Sequence, residues 1–246
     1  MHKKIGIVIQ ARVGSTRLPA KVLMPIEGRP MLAWLLARLK MASNNYTLIC
    51  AIPDDAENNV LEALCKKQNV HVVRGPEQDV LARYVMAADR FNLSDVIRIT
   101  GDCPLMDFRL IDSFREIHCN GNWDFTANSV GTDTAFPRGM DVEIIKASAL
   151  RHIGDVAHKK KFREHVTLYV HENPANLKVN LIAPQGRQCR PELRLCVDEP
   201  ADLNLVRKIY RHFLPSIDFS LDDIIAFLDQ NPAITKINAD VRQKAY

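Results

Sequence analysis

The first half of the chain alternates between two patterns of hydrophobic positions. Apolar residues, many of them β-branched, run together in four short segments that predict strands at residues 5–9, 47–52, 70–73 and 96–100. Between these segments apolar residues recur at spacings of three and four, which predicts helices at 30–42, 58–68 and 79–91. Such an alternation is typical of an α/β protein in which helices cover both faces of a parallel sheet.

Beyond about residue 120 the pattern becomes less regular. It predicts strands at 124–128, 142–145, 177–182 and 193–197, and helices at 159–172, 200–213 and 221–230. No internal repeat interrupts it. We therefore expect a single domain over residues 1–246, with a smaller lobe inserted at about 125–190.

Composition narrows the class of protein and of partner. The chain has 246 residues, of which 47% are hydrophobic and 25% charged, as in soluble globular proteins. A net charge of +4 with no long cationic run predicts no nucleic-acid partner. The six cysteines form no CxxC pair, which argues against a zinc site and suggests a reducing compartment. No segment approaches the roughly 20 apolar residues that span a bilayer, so we expect a cytoplasmic protein with no membrane partner.

The loop after the first predicted strand carries three cations among small residues: Arg12, Gly14, Ser15, Thr16, Arg17 and Lys21. It is neither a Walker A loop nor a GxGxxG loop. It does leave a strand at the carboxyl edge of the sheet, where ligands of such folds bind. Arginine and successive backbone N–H groups can grip phosphate there. The alternative is an ordinary solvated loop, and the position after the first strand favours phosphate binding.

Two acids follow predicted strand ends. Asp102 comes just after the strand at 96–100, and Asp198 just after the one at 193–197. Carboxylates in such places can hold Mg²⁺, which takes oxygen ligands. Alternatively, Asp102 caps a turn and Asp198 caps the helix that starts at Pro200. If the two strands are neighbours, the acids converge opposite the cationic loop and predict a metal–nucleotide site.

Five segments occur in order along most of the chain: QARVGSTRLPAKVL, RITGDCPL, RGMDVEI, REHVT and VDEPADLNLV. Over roughly residues 5–210 they resemble the cytidylyltransferases that activate acidic sugars, namely the CMP-KDO and CMP-acylneuraminate synthetases and the SpsF-like branch. The resemblance implies a three-layer αβα fold of the nucleotide-diphospho-sugar transferase type, with a mixed, mostly parallel sheet and an inserted lobe for substrate binding and homodimerisation. It also implies that CTP and an acidic sugar give a CMP-sugar and pyrophosphate, with Mg²⁺ as cofactor, in surface polysaccharide biosynthesis.

The resemblance also implies roles for individual residues. The catalytic residues would be Lys21, Arg12, Asp102 and Asp198. The nucleotide would be bound by Ala11, Arg12, Gly14, Ser15, Arg17, Lys21, Arg74 and Asp102, with Ala11 and Arg74 near the cytidine. The metal ligands would be Asp102 and Asp198. The sugar side would be formed by Arg138, Asp141, Glu143, Arg163, Glu164 and His165.

Several of the sugar-side residues also have plainer interpretations. Asp141 and Glu143 share one face of a predicted strand, so they either hydrogen-bond sugar hydroxyls or form the solvent side of a half-buried strand. Arg138 or Arg163 can meet a sugar carboxylate, and Arg138 can equally lie free in water. His165 is either a substrate contact or a helix-face histidine packed at the edge of the lobe.

Two positions depart from the pattern of the family. Ala20 stands where relatives usually have the glycine of LPGK, so a left-handed backbone there would be strained. Cys103 follows Asp102 where relatives often have a second acid, which puts any additional metal ligand in doubt.

The implied reaction is an in-line attack of the sugar hydroxyl on the α-phosphorus of CTP. Lys21 and Arg12 would take up charge on the leaving pyrophosphate. The general base stays open between the metal, a carboxylate and His165. A sugar-1-phosphate nucleotidyltransferase is one rival, but the chain lacks the glycine doublet of GGxGxRL loops. A non-catalytic nucleotide-binding protein is another, and the presence of both acids argues against it.

Overall fold

Strands and helices alternate along the chain in a computed structural model that describes residues 3–42, 45–130 and 133–243. Within these ranges the strands are β1 (Ile5–Gln10), β2 (Pro25–Ile26), β3 (Arg29–Pro30), β4 (Thr47–Pro53), β5 (His71–Gly75), β6 (Asp95–Thr100), β7 (Phe125–Ala127), β8 (Ser129–Val130), β9 (Asp133–Thr134), β10 (Glu143–Lys146) and β11 (Val179–Leu181). The helices are α1 (Met31–Leu39), α2 (Asn59–Lys67), α3 (Val80–Arg90), α4 (Phe108–Gly121), α5 (Ala147–Val156), α6 (Lys160–Glu164), α7 (Leu168–Glu172), α8 (Pro200–Phe213), α9 (Leu221–Gln230) and α10 (Pro232–Thr235).

Seven of the described strands form one sheet in the order β11–β7–β10–β6–β1–β4–β5. Neighbouring strands are parallel except where β10 pairs with β6 and with β7. The sheet is therefore mixed and mostly parallel, as predicted. Because β1 lies between β4 and β6, the loops that leave β1 and β6 emerge side by side at the carboxyl edge.

Side chains alternate across the sheet and supply two hydrophobic cores. On β1, Ile7 and Ile9 pack with apolar residues of α1, α2, α4, α8 and α9, whereas Val8 packs with those of α3, α5, α6 and α7. All three side chains are fully buried, and burial of each contributes about 2 kcal/mol. One core on each face confirms the three-layer αβα architecture.

The prediction that residues 193–197 form a strand of the sheet is wrong. The segment is extended, but in the described chain it makes only an isolated bridge, in which Arg138 N donates to Leu193 O and Leu195 N to Arg138 O. Gly139 makes the close approach possible, because a Cβ on it would lie 2.6 Å from Cys196 N. The apolar alternation that suggested a strand reflects burial of Leu195 and Val197 in the core.

Helix α4 lies in a stretch that the predicted elements left unassigned. Its buried residues Leu110, Ile111 and Phe114 do recur at helical spacing. Asp107 caps it, with one carboxylate oxygen accepting from Arg109 N and the other from Leu221 N, the first residue of α9. A single acid therefore starts α4 and fixes where α9 begins.

The helix predicted at 159–172 is interrupted. α6 ends at Glu164 and α7 begins at Leu168, and between them His165 leaves helical geometry with φ −107° and ψ 76°. Both short helices bury apolar residues against the core on the α3 face. The break sets His165 apart from either helix.

The region at about 125–190 contributes directly to the main sheet through β7, β10 and β11. Its helix α5 packs against α3. A role of this region as a substrate-binding or dimerisation lobe stays a prediction. No helix in the described ranges is both long and apolar enough to cross a membrane.

Candidate active site

A cleft of about 290 Å³ opens at the carboxyl edge of the sheet, beside the ends of β1 and β6. Nine residues predicted from the sequence line it: Ala11, Arg12, Ser15, Arg17, Lys21, Asp102, Glu164, His165 and Asp198. The cleft is therefore where the predicted phosphate loop and the two predicted metal ligands meet.

Backbone contacts bring the contributing loops together. Gly101 N donates to Gln10 O at 2.8 Å, so the loops after β6 and β1 touch directly. A Cβ at Gly101 would lie only 2.8 Å from that same oxygen, which explains why a glycine stands there. Val197 N donates to Asp102 O at 2.8 Å and places Asp198 beside Asp102.

Lys21 lies between the two acids. Its Nζ donates to Asp102 Oδ2 at 2.8 Å, to Asp198 Oδ1 at 2.8 Å and to Val197 O at 2.9 Å. The carboxylates thus converge although the strand predicted before Asp198 is not in the sheet. We call Lys21, Asp102 and Asp198 the cleft cluster.

Charge within the cleft cluster sets its ionisation. Burial acts to raise the pKa of Asp102, but the Lys21 ammonium and the Thr100 hydroxyl outweigh it and lower the pKa to about 2. Burial acts to lower the pKa of Lys21, but the two carboxylates outweigh it and raise that pKa above its ordinary value. Asp102 and Lys21 are therefore both charged at neutral pH.

Asp198 is held by further cations and does not cap α8 with its side chain. Arg17 Nη2 lies 2.7 Å from its Oδ1, and Arg194 Nη2 bonds its Oδ2. Glu199 and Asp202 form the capping box of α8 instead, so the N-cap interpretation of Asp198 is wrong.

Arg194 is itself held in place by hydrogen bonds to buried neighbours. Its Nε donates to Asp202, whose carboxylate also accepts from Asn238 Nδ2 at 2.8 Å. Asn238 Nδ2 also donates to Arg194 O at 3.0 Å. These buried contacts orient the guanidinium towards Asp198.

The loop from β1 to Lys21 is closed by a left-handed residue. Ala20 has φ 53° and ψ 26°, so the strain expected of an alanine at this position is present. Ala20 N donates to Val13 O at 3.1 Å, and Val13 N donates to the buried Asn58 Oδ1 at 3.0 Å. The loop thus has a defined shape.

Arg12 and Glu77 face each other across the mouth of the cleft. Arg12 Nη1 lies 3.5 Å from Glu77 Oε1, and both side chains are 45% exposed. Gly14 is in the same loop but does not line the cleft. This exposed pair is weak enough for an incoming anion to replace Glu77 at Arg12.

The remaining predicted residues lie outside the cleft lining. Arg74 donates to Glu62 Oε2 and Asp55 O, both at 2.6 Å, on the side of α2. Arg163 forms a bidentate pair with Asp79. Their predicted contacts with cytidine and sugar stay predictions.

Glu143 is buried and not on the solvent side of its strand. It accepts from Arg98 Nη1 at 2.5 Å and from Thr167 Oγ1 at 2.9 Å. Burial acts to raise its pKa, but Arg98 and His171 outweigh it and lower the pKa to about 2. We call Arg98, Glu143 and Thr167 the buried cluster.

Asp141 and Arg138 do not line the cleft. Asp141 Oδ2 accepts from Gly139 N at 3.1 Å, and burial raises the pKa of this carboxyl. The backbone of Arg138 holds the segment that leads to Asp198, and its side chain has partners of its own. A direct role for either residue at the sugar stays a prediction.

His165 and Glu164 do line the cleft, together with residues of the loop that follows β1. Burial lowers the pKa of His165, an effect partly offset by Glu164. The imidazole is therefore neutral at pH 7 and able to accept a proton.

The pattern of the sequence did not single out five further lining residues with polar side chains: Gln10, Glu77, Gln78, Arg83 and Thr100. Gln10 and Thr100 are the last residues of β1 and β6, so the strand-end rule used for Asp102 could have found them. Arg83 carries no such signal. It is 2% exposed and donates to Glu77 O at 3.0 Å, which supports the loop at the cleft mouth.

Comparison with known proteins places this geometry in a family. Residues 6–231 match the model of the cytidylyltransferase family. The spore coat polysaccharide biosynthesis protein SpsF of Bacillus subtilis is 34% identical over 244 residues, which cover 96% of this chain and 99% of that protein. The 3-deoxy-manno-octulosonate cytidylyltransferase of Tolumonas auensis is 33% identical over 106 residues, 41% of this chain and 39% of that protein.

Among solved structures, a cytidylyltransferase from Leptospira borgpetersenii superimposes with a TM-score of 0.90 at 32% identity, and the match covers 100% of both chains. Its agreement over the full length confirms the fold that the resemblance implied. The chain therefore belongs to the cytidylyltransferase family and is a nucleotidyltransferase.

Proposed function

We propose that the protein transfers the cytidylyl group of CTP to an acidic sugar of the octulosonic or nonulosonic type, giving a CMP-sugar and pyrophosphate for surface polysaccharide biosynthesis. The convergence of Asp102, Asp198 and Lys21 in a cleft next to Arg12 and Arg17 carries the proposal. The names of the two relatives above support an octulosonic acid and a polysaccharide pathway.

The donor set of the cleft fits a divalent cation. Asp102 and Asp198 each place a carboxylate oxygen 2.8 Å from one cationic nitrogen, Lys21 Nζ, so together they can hold a cation, and they are the residues that would hold a metal ion. The described residues offer no group of three or more His, Cys, Asp or Glu side chains for a metal. Two carboxylates with phosphate oxygens and water are the ligand set that Mg²⁺ commonly uses. When bound there, Mg²⁺ supplies charge neutralisation at the transferred phosphoryl group.

The cations of the β1 loop would hold the triphosphate. Arg17 has its Nη1 buried in the cleft wall with no hydrogen-bond partner among the described residues, so it has a donor to offer. Arg12 and the Ser15 hydroxyl line the same wall, and Ala11 begins it. These groups align the α-phosphorus and neutralise the leaving pyrophosphate.

The sugar would enter from the side of Glu164 and His165. His165 can accept the proton of the attacking hydroxyl, because its imidazole is neutral at pH 7. Glu164 is exposed and lines the cleft, so its carboxylate can accept hydrogen bonds from sugar hydroxyls.

Product analysis with labelled CTP tests the proposal. The protein is incubated with CTP, Mg²⁺ and a panel of octulosonic acids, nonulosonic acids and sugar 1-phosphates, and pyrophosphate release and the labelled product are recorded. A CMP-sugar formed only with an acid sugar is the expected result. A CDP-sugar formed from a sugar 1-phosphate would replace the proposal with the sugar-1-phosphate alternative.

A further inference from the structure

We propose that the Lys21 ammonium competes with the divalent cation for Asp102 and Asp198, and that Lys21 moves to the triphosphate only when metal and nucleotide bind together. This inference rests on the proposed function, since it assigns the metal to the same two carboxylates. It makes Lys21 a gate for metal binding in addition to a phosphate ligand.

The hydrogen bonds of Lys21 carry the first step. An ammonium has three N–H donors, and the Nζ of Lys21 has three acceptors at 2.8, 2.8 and 2.9 Å. In this arrangement no donor is left for a phosphate. Lys21 therefore has to give up at least one of these three acceptors, two of which are carboxylates, before it can bind the nucleotide.

The two carboxylates carry the second step. Each accepts from Lys21 through one of its oxygens, and a divalent cation held by the same two acids would compete with Lys21 for them. A divalent cation and an ammonium in contact with one pair of oxygens repel each other. Metal and Lys21 therefore exclude each other from the cleft cluster.

The other contacts of Asp198 would hold its carboxylate in place when Lys21 moves. Arg194 is buried and holds Asp198 Oδ2, the oxygen that Lys21 does not use, from the side away from Lys21. Lysine has a flexible four-carbon stem, so its head can turn into the cleft without a change of backbone. The carboxylate keeps its orientation while Lys21, one of the two cations at Oδ1 together with Arg17, is exchanged for the metal.

Competition has a measurable consequence for binding order. A metal ion that binds alone displaces Lys21 from two carboxylates, and the ammonium gains no new anionic partner. When a triphosphate binds with the metal, its phosphates become the new partners of Lys21. Metal and nucleotide therefore increase each other's affinity, and by linkage the factor is the same in both directions.

Binding of Mn²⁺, followed by the loss of its free electron paramagnetic resonance signal, tests this with the full-length protein. We expect Lys21→Met to bind Mn²⁺ without nucleotide at least tenfold more tightly than the unaltered protein, and Mn²⁺ to raise its melting temperature. Lys40→Met removes the same charge from an exposed residue outside the cleft and should leave Mn²⁺ binding unchanged. Adding Asp198→Asn to Lys21→Met should abolish the gain.

Two other outcomes would overturn the inference, and they differ in what they say about the proposed function. In the first, Lys21→Met and the unaltered protein bind Mn²⁺ with equal affinity, and Asp198→Asn still loses Mn²⁺–CTP binding. This result would rule out competition by Lys21 but would support the metal site. In the second, Asp198→Asn binds Mn²⁺–CTP as well as the unaltered protein does, which would rule out both the competition and the metal site at Asp198. If Lys21→Met folds poorly, Lys21→Gln serves instead, since its amide still donates to a carboxylate but carries no charge.

Discussion

The cleft cluster and the buried cluster have similar chemistry and different surroundings. In each, an acid is paired with a cation, and in each the pKa of that acid is lowered to about 2 although burial opposes the shift. Asp102 lies in a loop beyond the end of β6 and lines the cleft, whereas Glu143 lies in β10 and faces Arg98 on the neighbouring strand. A shifted pKa therefore does not separate a candidate site residue from an internal support, and the two acids differ instead in whether they line the cleft.

The largest expected effect is on catalysis, from Asp198→Asn. If Asp198 is one of the two metal ligands, as proposed, loss of its charge should lower turnover by on the order of 1000-fold. Pyrophosphate release under saturating CTP measures it. Asp229→Asn is the control, because Asp229 lies on the surface in an ion pair with Arg190. Turnover within threefold of normal would show that the cleft cluster is as structural as the buried one.

The next effect is on stability, from Glu143→Gln. The amide removes the charge that pairs with the Arg98 guanidinium in a buried place, which should cost about 3 kcal/mol of unfolding free energy. Urea unfolding measures it, and Glu172→Gln in an exposed pair with Lys161 should change it by less than about 0.5 kcal/mol. A small loss of unfolding free energy together with a large fall in turnover would instead indicate that Glu143 takes part in the reaction.

The stability lost in Glu143→Gln should depend on pH, which tests whether the charge of Glu143 is what stabilises the fold. The folded pKa of Glu143 is depressed from 4.5 to about 2, so its contribution is present above pH 4.5 and is lost as pH falls towards 2. The difference in unfolding free energy between the unaltered protein and Glu143→Gln should therefore shrink from about 3 kcal/mol at pH 7 to near zero at pH 2. A difference that stays constant over this range would mean that packing, and not charge, is what Glu143 supplies.

The smallest expected effect is a gain, from Ala20→Gly. Glycine adopts the left-handed backbone of this position without the alanine's steric cost, and its extra unfolded-state entropy offsets part of that gain. We expect the unfolding free energy to rise by about 0.5 kcal/mol. Asn92→Gly, at a left-handed asparagine far from the cleft lining, should gain less. A loss of stability at Ala20 would show that neighbouring contacts of its methyl group outweigh the strain.

Much of the fold follows from hydrophobic periodicity, because most strands and helices bury whole faces. The periodicity could not tell that residues 193–197 would lie beside Arg138, since a buried extended segment has the same pattern whether or not it has two neighbours. It likewise could not show the break at His165, which depends on how two short helices pack against α3.

The candidate site was predictable where it depends on strand ends. Asp102 and the β1 loop meet because β1 and β6 are adjacent and parallel. The partners of Arg74 and Arg163 were not predictable, because Asp55 and Asp79 are brought to them by the tertiary fold. Alternation predicted that Asp141 and Glu143 share a face of one strand. It could not show that β10 begins only at Glu143, or that Arg98 and Thr167 contact Glu143.

The three charged groups of the cleft cluster are widely separated in the chain: Asp198 lies 177 positions after Lys21 and Asp102 lies 81 after it. During synthesis, β1, β4, β5 and β6 leave the ribosome long before Asp198 does, and domains begin to fold from the part already made. A nascent chain can therefore build most of its sheet while it still lacks one of the two acids. If Asp198 has the proposed role, a chain still lacking this acid cannot yet carry out the transfer, so we expect it not to consume nucleotide before synthesis is nearly finished.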